Sequence, residues 1–199
     1  MSTAEQPLLM TEEAYLLAEE SAEYKSEYID GHIYAMSGAK ANHNRIAGNV
    51  YREMANHLKG KPCQPYVSDM KVKIGSKFFY PDVMVDCTTL PGGSVYTDNP
   101  TLIVEVLSAS TRRLDETTKR VAYMQIPALQ EYVLIEQDFV KVEVMRRSEG
   151  WLSAKYYLGD EVTFESIGLT VKVADLYERV ENGEMAAWLR GGESVQEER

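Results

Sequence analysis

A glutamate inside an apolar segment is the strongest chemical signal in this sequence. Glu105 lies within the run Leu102–Leu107, whose pattern is typical of a strand buried on both faces. A carboxylate in such a strand loses its hydration, which costs several kcal/mol unless the group is paired, protonated or bound to a metal. The alternatives are a functional site and a buried salt bridge or strand-edge glutamate. We favour the site, because burial of such a carboxylate is costly and strand ends are where α/β proteins place their sites.

A second carboxylate opens the preceding apolar strand. Asp82 follows Pro81 and precedes Val83–Val85. On its own, a Pro-Asp pair is more often a strand-entry turn, and the proline favours a bulge or a sheet edge. A strand, a loop and a second strand would bring Asp82 close to Glu105. Two close carboxylates repel each other and favour a divalent cation with oxygen ligands, such as Mg²⁺ with Mn²⁺ as a substitute.

A lysine and an aspartate follow Glu105 on a predicted helix. Asp115 and Lys119 are spaced so that they share one helical face. An arbitrary pair of this kind is a surface ion pair worth a few tenths of a kcal/mol. The alternative is a lysine that points at the metal site and stabilises charge in a transition state.

The remaining reactive residue types give weaker signals. His43 begins a predicted helix and Glu27 precedes a turn, and neither position is distinctive on its own. Cys63 and Cys87 lack the spacing of a zinc site, so we expect reduced thiols in a cytoplasmic protein. The sequence also lacks a glycine-rich phosphate loop and a Gly-x-Ser-x-Gly elbow.

Length and composition indicate one globular domain. The chain has 199 residues, of which 44% are hydrophobic and 26% charged. We expect a core over residues 11–180 between a loose N-terminus and a polar C-terminal tail, Gly191–Arg199. The apolar runs are too short to span a bilayer, and Met1–Met10 does not resemble a signal peptide. The net charge of −10 argues against a protein that coats nucleic acid, although a local basic patch remains compatible with it.

The positions of these residues depend on the elements that carry them. Thr11 and Asn42 are predicted helix caps, and Asp30-Gly31 predicts a hairpin. The principal predicted strands are Tyr66–Ile74, Phe78–Cys87, Thr101–Leu107 and Tyr132–Ile135. A helix beginning near Ser110 or Thr111 and ending at Ile126-Pro127 separates the last two of them. The prediction is an α/β or α+β domain with a strand–helix–strand unit at its centre.

The ordered motifs resemble a bacterial family described as "putative restriction endonucleases", within the PD-(D/E)xK nuclease superfamily. The resemblance spans roughly residues 12–180. Its motifs are Glu27–Gly31, Met36–Ala39 with His43, Tyr80–Val85, Leu102–Ser108, Ser110-Thr111 with Asp115 and Lys119, Ile126-Pro127 and Glu131–Leu134.

This resemblance implies a restriction-endonuclease-like core, which is a central mixed β-sheet flanked by helices. It also implies a Mg²⁺-dependent phosphodiesterase, often a homodimer, with Asp82 and Glu105 as the acidic residues of the motif. The lysine expected two residues after Glu105 is replaced by Leu107. In the family, the helix lysine, here Lys119, is thought to supply the missing amine. Glu27, His43 and Asp115 match accessory positions.

The predicted function is therefore the hydrolysis of DNA phosphodiester bonds, with Asp82 and Glu105 holding Mg²⁺ and the Val106 carbonyl as a further candidate ligand. Candidate contacts to the DNA backbone are Arg45, Lys71, Lys73, Arg112, Arg113 and Arg120, each of which is otherwise a solvated surface charge. One alternative is a non-catalytic protein that keeps the nuclease fold for binding or assembly. Another is a metal-independent glycoside hydrolase with two carboxylates.

Overall fold

A computed structural model describes residues 9–36 and 38–196 of the chain. The helices are α1 (Glu12–Glu19), α2 (Ala41–Leu58), α3 (Arg112–Leu114), α4 (Arg120–Tyr123), α5 (Val173–Leu176) and α6 (Gly183–Gln196), and a π-helical turn (Asp115–Lys119) joins α3 to α4. The strands are β1 (Ser26–Ile29), β2 (His32–Ala35), β3 (Gln64–Val67), β4 (Lys71–Ile74), β5 (Lys77–Phe79), β6 (Val83–Asp86), β7 (Tyr96–Thr97), β8 (Pro100–Leu107), β9 (Glu131–Glu136), β10 (Val142–Arg146), β11 (Ser153–Tyr156), β12 (Glu161–Phe164) and β13 (Leu169–Lys172).

A six-stranded mixed sheet forms the centre of the fold. Its strand order is β11-β10-β9-β8-β6-β3, and every neighbouring pair is antiparallel except β8 and β9. Parallel strands need a crossover connection, and here it is the helical segment from α3 to α4. A five-stranded sheet, β2-β1-β5-β4-β7, and the β12–β13 hairpin complete the architecture. The predicted mixed α+β fold and its central strand–helix–strand unit are confirmed.

The alternation of β8 decides which way its glutamate points. Leu102, Val104 and Val106 pack in one buried cluster, with the inner face of α2. Ile103 and Leu107 pack in a second buried cluster, with Tyr123 and Tyr132. Because side chains of a strand alternate between faces, Glu105 shares the face of Ile103 and Leu107, beneath the crossover helix.

Several predicted boundaries change in the structure. The predicted strand Tyr66–Ile74 is interrupted by a turn, so that β3 and β4 lie in different sheets. The predicted strand Phe78–Cys87 is divided at Tyr80-Pro81 into β5 and β6, also in different sheets. The Thr11 cap is confirmed by its hydroxyl, which accepts a hydrogen bond from the Ala14 amide at 3.2 Å.

The α2 helix begins one residue before the predicted cap. Its N-cap is Lys40, and the Asn42 side chain instead donates to the Glu181 carbonyl at 2.8 Å. At the other end of the chain α6 continues to Gln196, so much of the predicted polar tail is helical backbone. Residues 1–8 of the predicted loose N-terminus, together with Ser37, lie outside the described residues.

The prediction of reduced thiols is wrong. Cys63 and Cys87 form a disulfide with Cα atoms 3.8 Å apart. The cause is strand pairing: Gln64 faces Asp86 at one end of the β3–β6 ladder, so the flanking cysteines lie opposite each other.

In the part of the chain that the structure describes, no helix is long and apolar enough to cross a membrane.

Candidate active site

Antiparallel pairing brings Asp82 and Glu105 together at one end of the central sheet. Val83 of β6 faces Val104 of β8, so the preceding Asp82 lies beside Glu105. The Asp82 amide nitrogen is 3.4 Å from Glu105 Oε2, and the Val106 amide donates to Asp82 Oδ2 at 2.7 Å. Asp82 remains 20% exposed at its side chain, whereas Glu105 is buried.

Lys119 joins three carboxylates in the interior. Its Nζ lies 2.8 Å from Glu27 Oε1, 3.2 Å from Glu105 Oε1 and 3.3 Å from Asp115 Oδ1. The lysine side chain is 5% exposed and the three carboxylate side chains are each 4% exposed or less. The predicted Asp115–Lys119 pair therefore exists, but as part of a buried cluster rather than as a surface ion pair.

The π-helical turn explains how both helix residues reach Glu105. It runs from Asp115 to Lys119, and within it only these two residues are buried. The Tyr132 hydroxyl donates to the Asp115 carbonyl at 3.0 Å, which ties the turn to β9 of the sheet. Turns of this kind are rare and often occur at functional sites.

His43 approaches the site from α2. Its Nε2 is 3.2 Å from Asp82 Oδ2, and its Nδ1 is buried without a hydrogen-bond partner. Burial lowers the pKa of His43, but the hydrogen bond and charge of Asp82 outweigh this and hold the pKa above its ordinary value.

Burial and mutual repulsion shift the ionisation of the cluster. Desolvation raises the pKa of Glu105 well above its ordinary value, and Asp115 and Asp82 add to the rise, while Lys119 opposes it. The pKa values of Glu27 and Asp115 are also raised by burial. Burial disfavours charge on Lys119, but the neighbouring carboxylates raise its pKa well above normal, so the lysine stays protonated. The site is built around one cation and an excess of acidic groups.

A tyrosine that was not among the predicted site residues completes the surroundings of Glu105. The Tyr123 hydroxyl, fully buried on α4, donates to Glu105 Oε1 at 3.0 Å. Glu105 Oε1 therefore receives donors from Tyr123 and Lys119, which leaves Oε2 on the side of Asp82. Tyr123 follows Lys119 by four residues and so shares its helical face, but an aromatic residue at such a position is ordinarily a core residue and gives no signal of a site.

A cleft of about 360 Å³ opens above these groups. Asp82, Glu105, Asp115, Lys119 and His43 all line it. Five of the six predicted site residues thus border one cavity. The sixth, Glu27, lies behind it, where it contacts Lys119 and accepts from the Tyr80 amide at 3.1 Å.

Comparison with known proteins identifies the family of the chain. Residues 12–174 match the model of the Uma2 family, described as "Putative restriction endonuclease". The chain belongs to the Uma2 family. Two proteins of Synechocystis sp. (strain ATCC 27184 / PCC 6803 / Kazusa), both described as uncharacterized, are similar to it. One is 37% identical over 84% of this chain and 91% of its own length, and the other is 40% identical over 68% and 79%.

The fold of this Uma2 protein is also found in a solved structure. It is similar to a crystal structure from Anabaena variabilis described as "a putative nuclease belonging to DUF820", with a TM-score of 0.69. The similarity covers 83% of this chain and 97% of that one at 19% sequence identity, so it shows a shared fold.

Most cations predicted to contact DNA have protein partners in the Uma2 chain. Arg45 pairs with Glu181 at 3.0 Å and Lys73 with Glu12 at 2.7 Å. Arg112 forms a bidentate ion pair with the buried Glu136, and the Lys71 ammonium lies 5.0 Å from the centre of the Tyr80 ring. The other two cations are Arg113, which is exposed, and Arg120, which is half-buried.

The residues of the cleft are compatible with a hard divalent cation. Among residues 9–36 and 38–196, no group of three or more His, Cys, Asp or Glu side chains is arranged to hold a metal ion. Mg²⁺, however, typically uses one or two carboxylates and keeps several waters or substrate oxygens. The carboxylates of Asp82 and Glu105, both facing the cleft, match this smaller requirement.

Proposed function

We propose that this protein hydrolyses DNA phosphodiester bonds in the presence of Mg²⁺. The observation that carries the proposal is the convergence on one cleft of Asp82, Glu105 and a protonated Lys119. This arrangement combines acidic oxygen ligands with a fixed cation. Membership of the Uma2 family supports a nuclease, and the family resemblance of the sequence also supports a homodimer.

The proposed metal ligands are Asp82 and Glu105. A bound Mg²⁺ would supply Lewis acidity toward the phosphate and lower the pKa of a bound water. The Val106 carbonyl is a further candidate ligand. The cleft attracts a cation, since four carboxylates line it against two lysines, Lys119 and the exposed Lys40. The four are Asp82, Glu105, Asp115 and Asp138.

Lys119 is proposed to stabilise negative charge on the phosphate during the reaction. A preorganised cation in a site shielded from water acts strongly on developing charge. Glu27 and Asp115 keep the ammonium group protonated and fixed, at 2.8 Å and 3.3 Å from Nζ. His43 orients the Asp82 carboxylate through its contact at 3.2 Å. These last three residues are positioning residues in the proposal.

The decisive experiment is a cleavage assay on supercoiled and linear duplex DNA with Mg²⁺, Mn²⁺ or EDTA. Wild-type protein should cleave only with a divalent cation. Glu105→Gln should lose both cation binding, measured by calorimetry, and cleavage, because an amide keeps the shape but not the charge. The control Glu161→Gln changes an exposed glutamate away from the cleft and should behave as wild type. Undiminished cleavage by Glu105→Gln would contradict the proposal.

A non-catalytic binding protein is the second candidate. The observation that favours it is that no cluster of three metal-ligating side chains occurs in the described part of the chain. Such a protein would show no heat on Mn²⁺ titration that disappears in Asp82→Ala. Cleavage of a glycosidic substrate that persists in EDTA would instead support a glycoside hydrolase.

A further inference from the structure

The cleft has a second polar wall that the proposed hydrolysis does not use. This wall consists of the residues that lead into α2 (38–40), those that follow β8 (108–111) and those that follow β9 (137 and 138). Because β8 and β9 are parallel, their carboxyl ends meet at the same edge of the sheet. Ligands of α/β proteins commonly bind at such an edge.

Unsatisfied polar atoms are concentrated in this cleft. In the ranges 9–36 and 38–196, four buried side-chain polar atoms lack a hydrogen-bond partner, and three of them belong to residues that line the cleft: His43 Nδ1, Asp115 Oδ1 and Gln137 Oε1. Asp115 Oδ1 still has the ionic contact to Lys119. An unpaired buried polar group costs about 1–3 kcal/mol, so the two atoms that the lysine does not reach, His43 Nδ1 and Gln137 Oε1, indicate a ligand in this cavity.

Gln137 is the clearest of the three. It follows β9 directly and is only 4% exposed, yet its amide oxygen has no partner. The oxygen and nitrogen of a glutamine amide exchange places when the group rotates, so the same side chain can accept from a ligand or donate to it. The hydrolytic roles proposed above leave this amide unused.

The amino end of α2 opens onto the same cleft. The helix is 18 residues long, its N-cap Lys40 forms no side-chain cap and its first turn holds no acidic residue. Within the described part of the chain, nothing accepts a hydrogen bond from the amides of Asn42 and His43. Lys40 itself is exposed at the rim. Free amides, the helix dipole and a lysine together favour an anion.

We propose that Lys40, the amino end of α2 and Gln137 form a second phosphate subsite beside the carboxylate centre. The subsite takes a backbone phosphate of the nucleic acid chain whose neighbouring phosphate lies at Asp82 and Glu105, so it rests on the proposed function. Gln137 donates its amide to a phosphate oxygen. On the adjoining wall the Ser108 hydroxyl lies 3.0 Å from the hydroxyls of both Ser110 and Thr111. Asp138 is the acidic group that limits the affinity.

The test is the salt dependence of binding to a short duplex DNA in EDTA, which separates binding from cleavage. The slope of log K against log salt is negative, and loss of one phosphate contact should reduce its magnitude by about 0.9. We expect this decrease in Lys40→Ala. The Lys40 side chain does not cap α2, so its removal leaves the capping of the helix unchanged. The control Lys155→Ala removes an exposed lysine on β11, outside the cleft, and should leave the slope unchanged. Gln137→Met removes only the amide, so the affinity should fall several-fold at an unchanged slope.

Each outcome has a defined meaning. The subsite is overturned if Lys40→Ala leaves the slope unchanged, or if Lys155→Ala reduces its magnitude equally. It is also overturned if the wild-type protein does not bind the duplex. If Gln137→Met binds the duplex with wild-type affinity, Gln137 is not part of the subsite. Cleavage with an unchanged slope contradicts only the subsite. A slope of smaller magnitude in Lys40→Ala, with no cleavage by the wild-type protein, supports the subsite and contradicts only the hydrolysis.

Discussion

Lys119 is the residue on which the site depends, because its ammonium group is shared by Glu27, Glu105 and Asp115. Removal of one partner from a buried ion pair is far more costly than loss of a surface pair, since the remaining charge stays buried without compensation. The same group is the one that the proposed chemistry needs.

Lys119→Met should therefore affect both stability and activity. We expect the free energy of unfolding in urea to fall by about 3–5 kcal/mol at neutral pH. Part of this should return at lower pH, as protonated carboxyl groups need no counterion. Cleavage by the folded fraction should fall roughly 10²–10³-fold. The control Lys73→Met breaks a half-exposed pair with Glu12 and should cost at most about 1 kcal/mol. A variant as stable and active as wild type would contradict the role of Lys119.

Glu105 gives the protein a distinctive pH dependence. Its pKa is raised in the folded state, mainly by burial, so the folded protein holds the proton more tightly than the unfolded chain does. Stability from this group is present below the unfolded pKa and is lost as the pH rises toward the folded pKa, at up to about 1.4 kcal/mol per pH unit.

Glu105→Gln should flatten this decline, because an amide does not titrate. Urea denaturation across pH 4–8 should give similar stabilities for the two proteins at the acidic end and a more stable variant at neutral pH. Metal-free buffers are needed, since a cation would offset the repulsion. A wild-type profile as flat as that of the variant would show that Glu105 ionises without cost.

The sequence predicted the acidic part of the site better than its surroundings. Glu105 was recognisable because a charge interrupts an apolar run, and Lys119 because the family resemblance places an amine on the helix. Gln137 and Tyr123 were not recognisable, since a polar residue after a strand and an aromatic residue on a helix are both ordinary. Their roles depend on how β9 and α4 pack around Glu105, which no local pattern specifies.

At the scale of elements, the π-helical turn is the feature that presents Asp115 and Lys119 to the sheet. Tyr132→Phe should remove the hydrogen bond to the Asp115 carbonyl, lower the unfolding free energy by about 1 kcal/mol and reduce the cleavage rate. Tyr177→Phe is the control. That tyrosine is equally buried, lies in the cluster on the opposite face of the sheet and donates to the Glu136 carbonyl at 2.7 Å. Its hydroxyl also contacts the Lys141 backbone at 3.1 Å, so the loss of stability should be at least as large as in Tyr132→Phe. Equal losses of cleavage rate in both variants would indicate a general rather than a local effect.

The elements themselves were predictable where the pattern is unambiguous. The Asp30-Gly31 hairpin and the β8 strand occur as predicted. The division of Phe78–Cys87 was not predicted, because β5 and β6 are both apolar and consecutive, and only the bend at Pro81 separates them. The disulfide was missed for a related reason: the two cysteines become neighbours only through the register of β3 on β6.

For the molecule as a whole, the excess of acidic groups in the cleft predicts stabilisation by a divalent cation. Binding to the folded state alone adds about 2.7 kcal/mol at a hundredfold excess over Kd, so Mg²⁺ should raise the melting temperature. Asp82→Asn should abolish this shift, whereas Asp98→Asn, at an exposed position outside the cleft, should retain it. A wild-type melting temperature that does not change on addition of millimolar Mg²⁺ would contradict a cation site.

The connection between the only parallel strands of the described central sheet has a further consequence. Asp82 and Glu105 are fixed by the strand ladder, but the lysine arrives on the α3–α4 crossover. A transient detachment of that segment would remove the amine while the ladder stayed intact. Amide hydrogen exchange should then reveal an opening of residues 112–123 at lower free energy than that of β8 or β9. Because molecules in this open form lack the amine, the catalytically competent fraction could not exceed the fraction that remains closed.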